Sequence, residues 1–507
     1  GRKTAVLEND FPTVHRAGAT PVPIPNTEVK PRFGDGTAGF PGGRVARRWD
    51  LLDGVRPYGL APFFLRRPAP VTVLRECAGS PRTPLAVVTS RQALCTRGGS
   101  AVEAGRTLDV AIIGAGFAGL ACAARLRSLG VSNFEILEQG EAVGEAWRRH
   151  YDRIRLHSPF HDLPDDGGLR RRYGLFLERD ELLEYFAAYA TQHELEPNLR
   201  FGHRVERIER VPQGWRLATR GTEIAARFLV VATAYNRKPV VPHFSGADAF
   251  RGQLIHSSSY QNARSFRGRR ALVVGSGNSS AEIALDLAEG GASHVAMWIR
   301  APRHVLSLKS IGRMARVARW LRVELTPKHI AASHAYTRTH PEFLAKLREK
   351  DGFFGKFAID LSRFGLHKPE EGPATQMYLR GRVPWFDQGT AAAVSSGRIE
   401  MIDGNVRALE GFDADGVRFA EGAEAFDLVV LGTGFEPGLD DLFPEADRLL
   451  YWNPDMQRRM PLTDGRSRSI PEPSLFFPGF DLSANGGLSL GLWGSEVAEG
   501  IAADVAA

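Results

Sequence analysis

Cysteine, lysine, methionine and long apolar runs are all scarce in this chain of 507 residues. The three cysteines, Cys77, Cys95 and Cys122, form no CxxC pair and no disulfide framework, so a reducing, cytoplasmic setting is expected. The missing dithiol also removes dithiol-based disulfide reductases from the candidates. No stretch approaches the roughly 18 apolar residues that a membrane span needs. The start carries no secretory apolar core. The first methionine is Met297, so Gly1 is not expected to be a natural initiator. Nine lysines against 56 arginines point to GC-rich coding and say nothing of function. His157 and His161 have HxxxH spacing, but Pro159 lies between them and the zincin glutamate is missing, so no metal site is expected.

What charge there is sits unevenly. The formal net charge is +7, and residues 1–105 supply all of it, with 15 basic and 8 acidic side chains. The remaining residues balance at 50 of each sign. The same first stretch holds 12 prolines and 13 glycines, a composition that buries too little surface to offset chain entropy. Residues 1–105 are therefore expected to be a disordered extension. A nucleic-acid arm is the rival reading, but aromatic interleaving and a known module are absent, so no nucleic-acid partner is expected.

Order is expected from Leu108 onward. The apolar run Leu108 to Ile113 reads as a buried parallel strand, Ala118 to Leu129 as a helix, and Asn133 to Glu138 as a second strand. Between the first strand and the helix lies Gly114-Ala115-Gly116-Phe117-Ala118-Gly119. Gly114 permits a tight turn, Gly116 lets the backbone approach a pyrophosphate, and Gly119 allows close helix–strand packing. Glu138, 24 residues after Gly114, ends the second strand where a carboxylate accepts from ribose hydroxyls.

The pattern repeats after the strand Ala271 to Val274, as Gly275-Ser276-Gly277-Asn278-Ser279-Ser280. Ser280 replaces the third glycine and is still small. The following strand, His294 to Ile299, ends in Arg300, with Arg303 close behind. A guanidinium pairs with a 2′-phosphate that a carboxylate would repel, so the second turn is expected to take NADPH. Two such sites imply electron transfer between two cofactors, and FAD with NADPH is the simplest pairing. Hairpins are expected at Arg204 to Thr219 and at Val406 to Phe419, each leading into an apolar strand, and helices in much of 311–350. The fold class is thus α/β: two dinucleotide-binding Rossmann-like domains, the second inserted in the first. The expected FAD domain is 106–240 with 390–500, and the expected NADPH domain is 241–389.

The linker between the turns resembles the FxGxxxHxxx(Y/F) fingerprint of the flavin-containing monooxygenase family at Phe250, Gly252, His256 and Tyr260. Baeyer–Villiger monooxygenases resemble it too but usually end it in Trp. Alone, His256 reads as a hydrogen-bonded structural histidine. Further likeness covers nearly all of 106–500. Gly144-Glu145-Ala146-Trp147 is similar to GGxW, whose Trp147 packs near the flavin. Val205 falls where relatives set backbone groups against the adenine. Leu431 to Phe435, with Gly434, resembles the late ATG(F/Y) motif. Gly479-Phe480-Asp481 and Gly486-Gly487-Leu488 resemble the terminal flavin-contacting segment. Tyr151 to His157 and Phe364 to Pro373 look most like the plant YUCCA-type branch and its bacterial relatives, which decarboxylate indole-3-pyruvate oxidatively.

Two departures stand out: Ala232-Thr233-Ala234 replaces an ATG, and His157 stands where animal-type members often place Asn. The resemblance implies that NADPH reduces FAD, which forms a C4a-(hydro)peroxyflavin with O2. That species oxygenates a small organic substrate, either an N or S nucleophile or a 2-oxo acid such as indole-3-pyruvate. A Baeyer–Villiger enzyme and an NADPH oxidase are the alternatives. The cofactor carries the chemistry, so catalytic candidates reduce to Asn278 and His157.

Overall fold

Each of two parallel sheets starts from a short apolar strand that runs straight into a glycine turn. The computed structural model describes residues 107–158, 163, 173–234, 236–320, 341–454, 456–464, 466–480 and 486–506. All of them fall within one unit, Val88–Ala507. Residues 1–105, with Cys77 and Cys95, and also His161 and Asp481 lie outside the described residues.

The first sheet runs in the order Leu199–Arg200, Phe134–Leu137, Thr107–Ile113, Thr222–Val231, Gly214–Thr219 and Val205–Val211. The first four strands are parallel, and the last two form the expected hairpin. Leu475–Phe476 joins Thr222–Val231 in parallel. Val110, Ile112, Ile136 and Val230 face one core, and Ala111, Ile113, Leu137 and Val231 the other. Burial on both faces is why these strands read as continuous apolar runs. Each buried Val, Ile or Leu among them contributes about 1.5–3 kcal/mol. The helix Phe117–Ser128 covers one face and packs on the closing helix Gly486–Ala506. A Cβ on Gly494 would lie 2.3 Å from the Ala118 carbonyl oxygen, so this crossing admits only glycine.

The second sheet is all parallel, ordered Glu400–Asp403, His294–Ile299, Arg270–Val274, Leu428–Leu431 and Gln253–His256. It too is buried on both faces, with Val273 and Val430 in one core and Val274 and Leu431 in the other. The return to the first domain is expected at residue 390. Two strands beyond that point complete the second sheet, and the first sheet regains the chain only at Leu475–Phe476. Leu428–Leu431 lies beside Arg270–Val274 in the second sheet, just as Thr222–Val231 lies beside Thr107–Ile113 in the first. The small sheet Leu409–Phe412, Gly416–Phe419 and Gly422–Ala425 covers the expected late hairpin, but Val406 sits exposed outside it. Helices expected in 311–350 are found at Leu308–Trp320 and Pro341–Gly355. Among the described residues, no helix is long and apolar enough to cross a membrane.

Candidate cofactor and active site

The first glycine turn is shaped by its neighbours. Gly114 has φ +104°, and a Cβ there would lie 2.8 Å from the Ala232 carbonyl oxygen. A Cβ on Gly119 would lie 2.0 Å from the Gly114 carbonyl oxygen. Gly116 differs, since a Cβ there would meet nothing within 4 Å. The space beside it opens onto the N-terminus of Phe117–Ser128, which has no side-chain cap and no acidic residue in its first turn. Free N–H groups and an uncapped helix end suit a pyrophosphate. Glu138 is buried, and its two carboxylate oxygens accept from Ala115 N–H at 3.0 Å and Gly140 N–H at 2.9 Å. It therefore braces the turn, with lone pairs left for a ribose. Gly144 continues the same cradle, its N–H bonding the Ala115 carbonyl at 2.9 Å.

The second turn repeats this geometry. Gly275 has φ +130°, and a Cβ there would meet the Gly432 carbonyl oxygen at 2.3 Å. Gly277 opens onto empty space at the uncapped start of Asn278–Glu289. Ser280 fits as the third small residue because Gly432 faces it: a Cβ on Gly432 would lie 2.0 Å from Ser280 Oγ. Arg300 follows the next strand and is exposed, with no ion pair to a described residue, so its guanidinium is available for a phosphate. Arg303 is half-buried and donates to the Val383 carbonyl at 2.9 Å, so it is partly committed to the fold.

Asn278 Nδ2 donates to the Pro384 carbonyl at 3.0 Å, and its Oδ1 accepts from Phe386 N–H at 2.6 Å. The side chain pins a neighbouring segment to the helix.

The fingerprint residues join the motifs. His256 Nδ1 accepts from Ser258 N–H at 3.1 Å, so Nε2 carries the proton and donates to the Gly434 carbonyl at 3.0 Å. Burial lowers the pKa of His256 below the ordinary histidine value, against the raising effect of that carbonyl. It is a structural clasp. Tyr260 donates to Asp286 at 2.6 Å; burial first, then that carboxylate, pushes its phenol well up, so it stays a donor. Phe250 packs on Phe412 with ring centroids 5.3 Å apart, and Gly252 leaves room for the Phe250 ring. Trp147 is half-buried and touches both the first and the second core. Val205 is buried at the start of its strand.

The late motif keeps its turn at Gly434, with φ +86°. The corresponding Ala234 holds φ +55°, a conformation that disfavours a side chain. Ala234→Gly is expected to stabilise the protein by about 1 kcal/mol. A urea midpoint that stays put or falls would refute this.

Two residues escaped the motif reading, Glu282 and Asp286, and Tyr151 entered it only as the start of a family-like stretch. Glu282 Oε2 accepts from Tyr151 at 3.0 Å, and Oε1 lies 2.8 Å from His157 Nε2. The signal was a lone carboxylate between Ala281 and Ile283 on a face otherwise small and apolar. His294, Glu400 and Glu424 also approach one another closely, but Arg270 and Arg407 already pair with Glu424 at 3.0 and 3.5 Å, which disfavours a cation there.

Residues 111–311 match the sequence family described as Pyridine nucleotide-disulphide oxidoreductase. That span runs from the first turn past the second, and its one cysteine, Cys122, is buried in the first helix. Indole-3-pyruvate monooxygenase YUCCA1 of Oryza sativa subsp. japonica is 34% identical over 351 residues, 67% of this chain and 79% of that protein. Indole-3-pyruvate monooxygenase YUCCA8 of Oryza sativa subsp. indica is 32% identical over 67% of this chain and 78% of its own length. Among solved structures, a flavin-containing monooxygenase from Stenotrophomonas maltophilia aligns with TM-score 0.55 at 21% identity, over 79% of this chain and 99% of that one. A steroid monooxygenase aligns with TM-score 0.60 at 21% identity, over 79% and 86%. The paired turns and these relatives define an oxidoreductase dependent on FAD and NADPH. The chain belongs to the flavin-containing monooxygenase family.

Proposed function

We propose that the first sheet's domain holds FAD at Gly114–Gly119 and Glu138, that the inserted domain holds NADPH at Gly275–Ser280 and Arg300, and that the substrate is a small 2-oxo acid, indole-3-pyruvate being the leading candidate. The observation that carries the substrate is the identity of 34% and 32% to proteins named indole-3-pyruvate monooxygenases. FAD and NADPH supply the redox and oxygen chemistry when bound. The chain's own residues bind and orient them. The two open helix ends take the phosphates, Glu138 takes a ribose diol, and Arg300 takes the 2′-phosphate. The clasp from His256 to Gly434 and the bond from Tyr260 to Asp286 hold the linker to both motifs. A cytoplasmic setting belongs to this reading, supported by the shortage of cysteine.

For a 2-oxo acid, one oxygen atom enters the product acid, the carboxyl carbon leaves as CO2, and the other oxygen atom leaves as water. The test is NADPH oxidation by the flavin-loaded protein with indole-3-pyruvate, a tertiary amine and a sulfide, with products identified. Indole-3-pyruvate is expected to stimulate turnover and to yield the acid one carbon shorter. Oxygenation of the amine or sulfide with no response to the 2-oxo acid would overturn the substrate assignment.

A further inference from the structure

The helix Asn278–Glu289 buries a carboxylate that nucleotide binding leaves unused. Glu282 is 1% exposed. A buried carboxylate is tolerated only with partners. Both partners come from another part of the chain, the segment between the first sheet's strands Phe134–Leu137 and Leu199–Arg200. Tyr151 donates to Oε2, and His157 Nε2 faces Oε1. Burial and then Glu282 push the Tyr151 phenol well above its ordinary value, which keeps it a donor. The helix start, one turn away, favours the negative charge. The other polar neighbours are Ser279, 3.4 Å from the Tyr151 hydroxyl, and His150, whose pKa burial lowers and Glu282 opposes. Arg153 also acts on Tyr151 and is itself paired with Glu289 at 2.8 Å and Asp286 at 3.6 Å.

With the carboxylate as acceptor, His157 offers a proton from Nε2. Its Nδ1 has no partner among the described residues, and 19% of the side chain is exposed. The imidazole lies 5.1 Å from the Phe386 ring, whose N–H Asn278 holds at the head of the same helix. One nitrogen is committed to Glu282, the other has no partner among the described residues, and the ring packs on Phe386, which Asn278 ties to the start of the helix that follows the second glycine turn. This is the arrangement by which a carboxylate fixes the tautomer of a proton-transferring histidine.

We propose that Glu282 and Tyr151 are positioning residues that orient His157 so that Nδ1 exchanges a proton with the ligands of the second nucleotide cleft. Monooxygenation with NADPH consumes one proton from solution. That proton enters on Nδ1 and leaves with the oxygen atom released as water, so the imidazole is neutral again after each turnover. The proposal rests on the NADPH reading of the second turn. It adds that the acceptor is complete only with the Tyr151–His157 segment docked on the Asn278–Glu289 helix.

The test uses full-length, flavin-loaded enzyme with NADPH and O2, comparing wild type with His157→Ala, Glu282→Gln, Tyr151→Phe and the double variant His157→Ala/Glu282→Gln. His157→Ala and Glu282→Gln are each expected to lower kcat about a hundredfold, with flavin content and the KM for NADPH little changed. The double variant is expected to be no worse than His157→Ala, because the two residues act as one unit. Added imidazole is expected to restore turnover to His157→Ala but not to the double variant. Full activity in either single variant, losses that multiply in the double, or rescue independent of Glu282 would overturn the proposal. Tyr151→Phe keeps shape and removes the hydroxyl that bonds Glu282 and Ser279. Should Glu282→Gln fail to fold, an unchanged kcat and solvent isotope effect in Tyr151→Phe would overturn the proposal, and a several-fold loss with an altered isotope effect would support it. A wild-type enzyme that does not oxidise NADPH would instead defeat the functional assignment itself.

Discussion

A Gly116→Val variant is expected to fold normally and to purify without flavin colour. The backbone at Gly116 has φ −96°, which any residue adopts, and a Cβ there meets no protein atom. The cost of the new side chain therefore falls on the ligand. It occupies the space through which a pyrophosphate reaches the helix N–H groups. Losing two charge-assisted hydrogen bonds, at about 1.5–3 kcal/mol each, weakens FAD binding by roughly two to four orders of magnitude. Gly119→Val is the informative contrast. Its Cβ would lie 2.0 Å from the Gly114 carbonyl oxygen, so it is expected to disrupt the first sheet itself. Circular dichroism, melting and FAD titration of the two variants separate a lost site from a lost fold. A yellow Gly116→Val protein with normal flavin affinity would remove the first turn from the FAD site.

The second large effect is expected at Arg300. On the proposed assignment, Arg300→Glu replaces an exposed guanidinium, without an ion pair to a described residue, with a carboxylate where the 2′-phosphate would lie. Loss of one charged hydrogen bond predicts a rise in the KM for NADPH of roughly ten- to a hundredfold. The KM for NADH is expected to stay or fall, since a carboxylate suits a ribose diol. Arg303→Ala is expected to do less, because its guanidinium already serves the Val383 carbonyl. Equal losses with both nucleotides would show that Arg300 does not read the phosphate.

The contrast between Arg300 and Arg303 illustrates what the residue pattern conveyed. The two turns, their strands and helices were legible because strand, glycine turn, helix and strand follow one another within about 30 residues and depend on local sterics. His294–Ile299 and the position of Arg300 came from that register alone. The sheet that Leu428–Leu431 joins was not legible, because a parallel strand carries no local mark of its partner. The tie made by Asn278 was illegible for a similar reason. Its partners, Pro384 and Phe386, are more than a hundred residues away, so nothing nearby showed that its amide was already occupied. The pairing of Glu282 with Tyr151 was not legible, because only the docking of two distant segments makes them a pair.

The two glycine turns share a dependence that bears on synthesis of the chain. Gly114 fits against Ala232, and Gly275 against Gly432, so each nucleotide cradle is finished by the end of a strand encoded far downstream. Such long closures are slow steps in folding. A nascent chain emerging in order cannot complete the second cradle until Gly432 has left the ribosome. The first cradle must wait for Ala232, and its helix for the Gly494 crossing. Cofactor capture thus comes late, and a chain cut short before its last helix is expected to lose its grip on the first nucleotide even though every residue of the first turn is present.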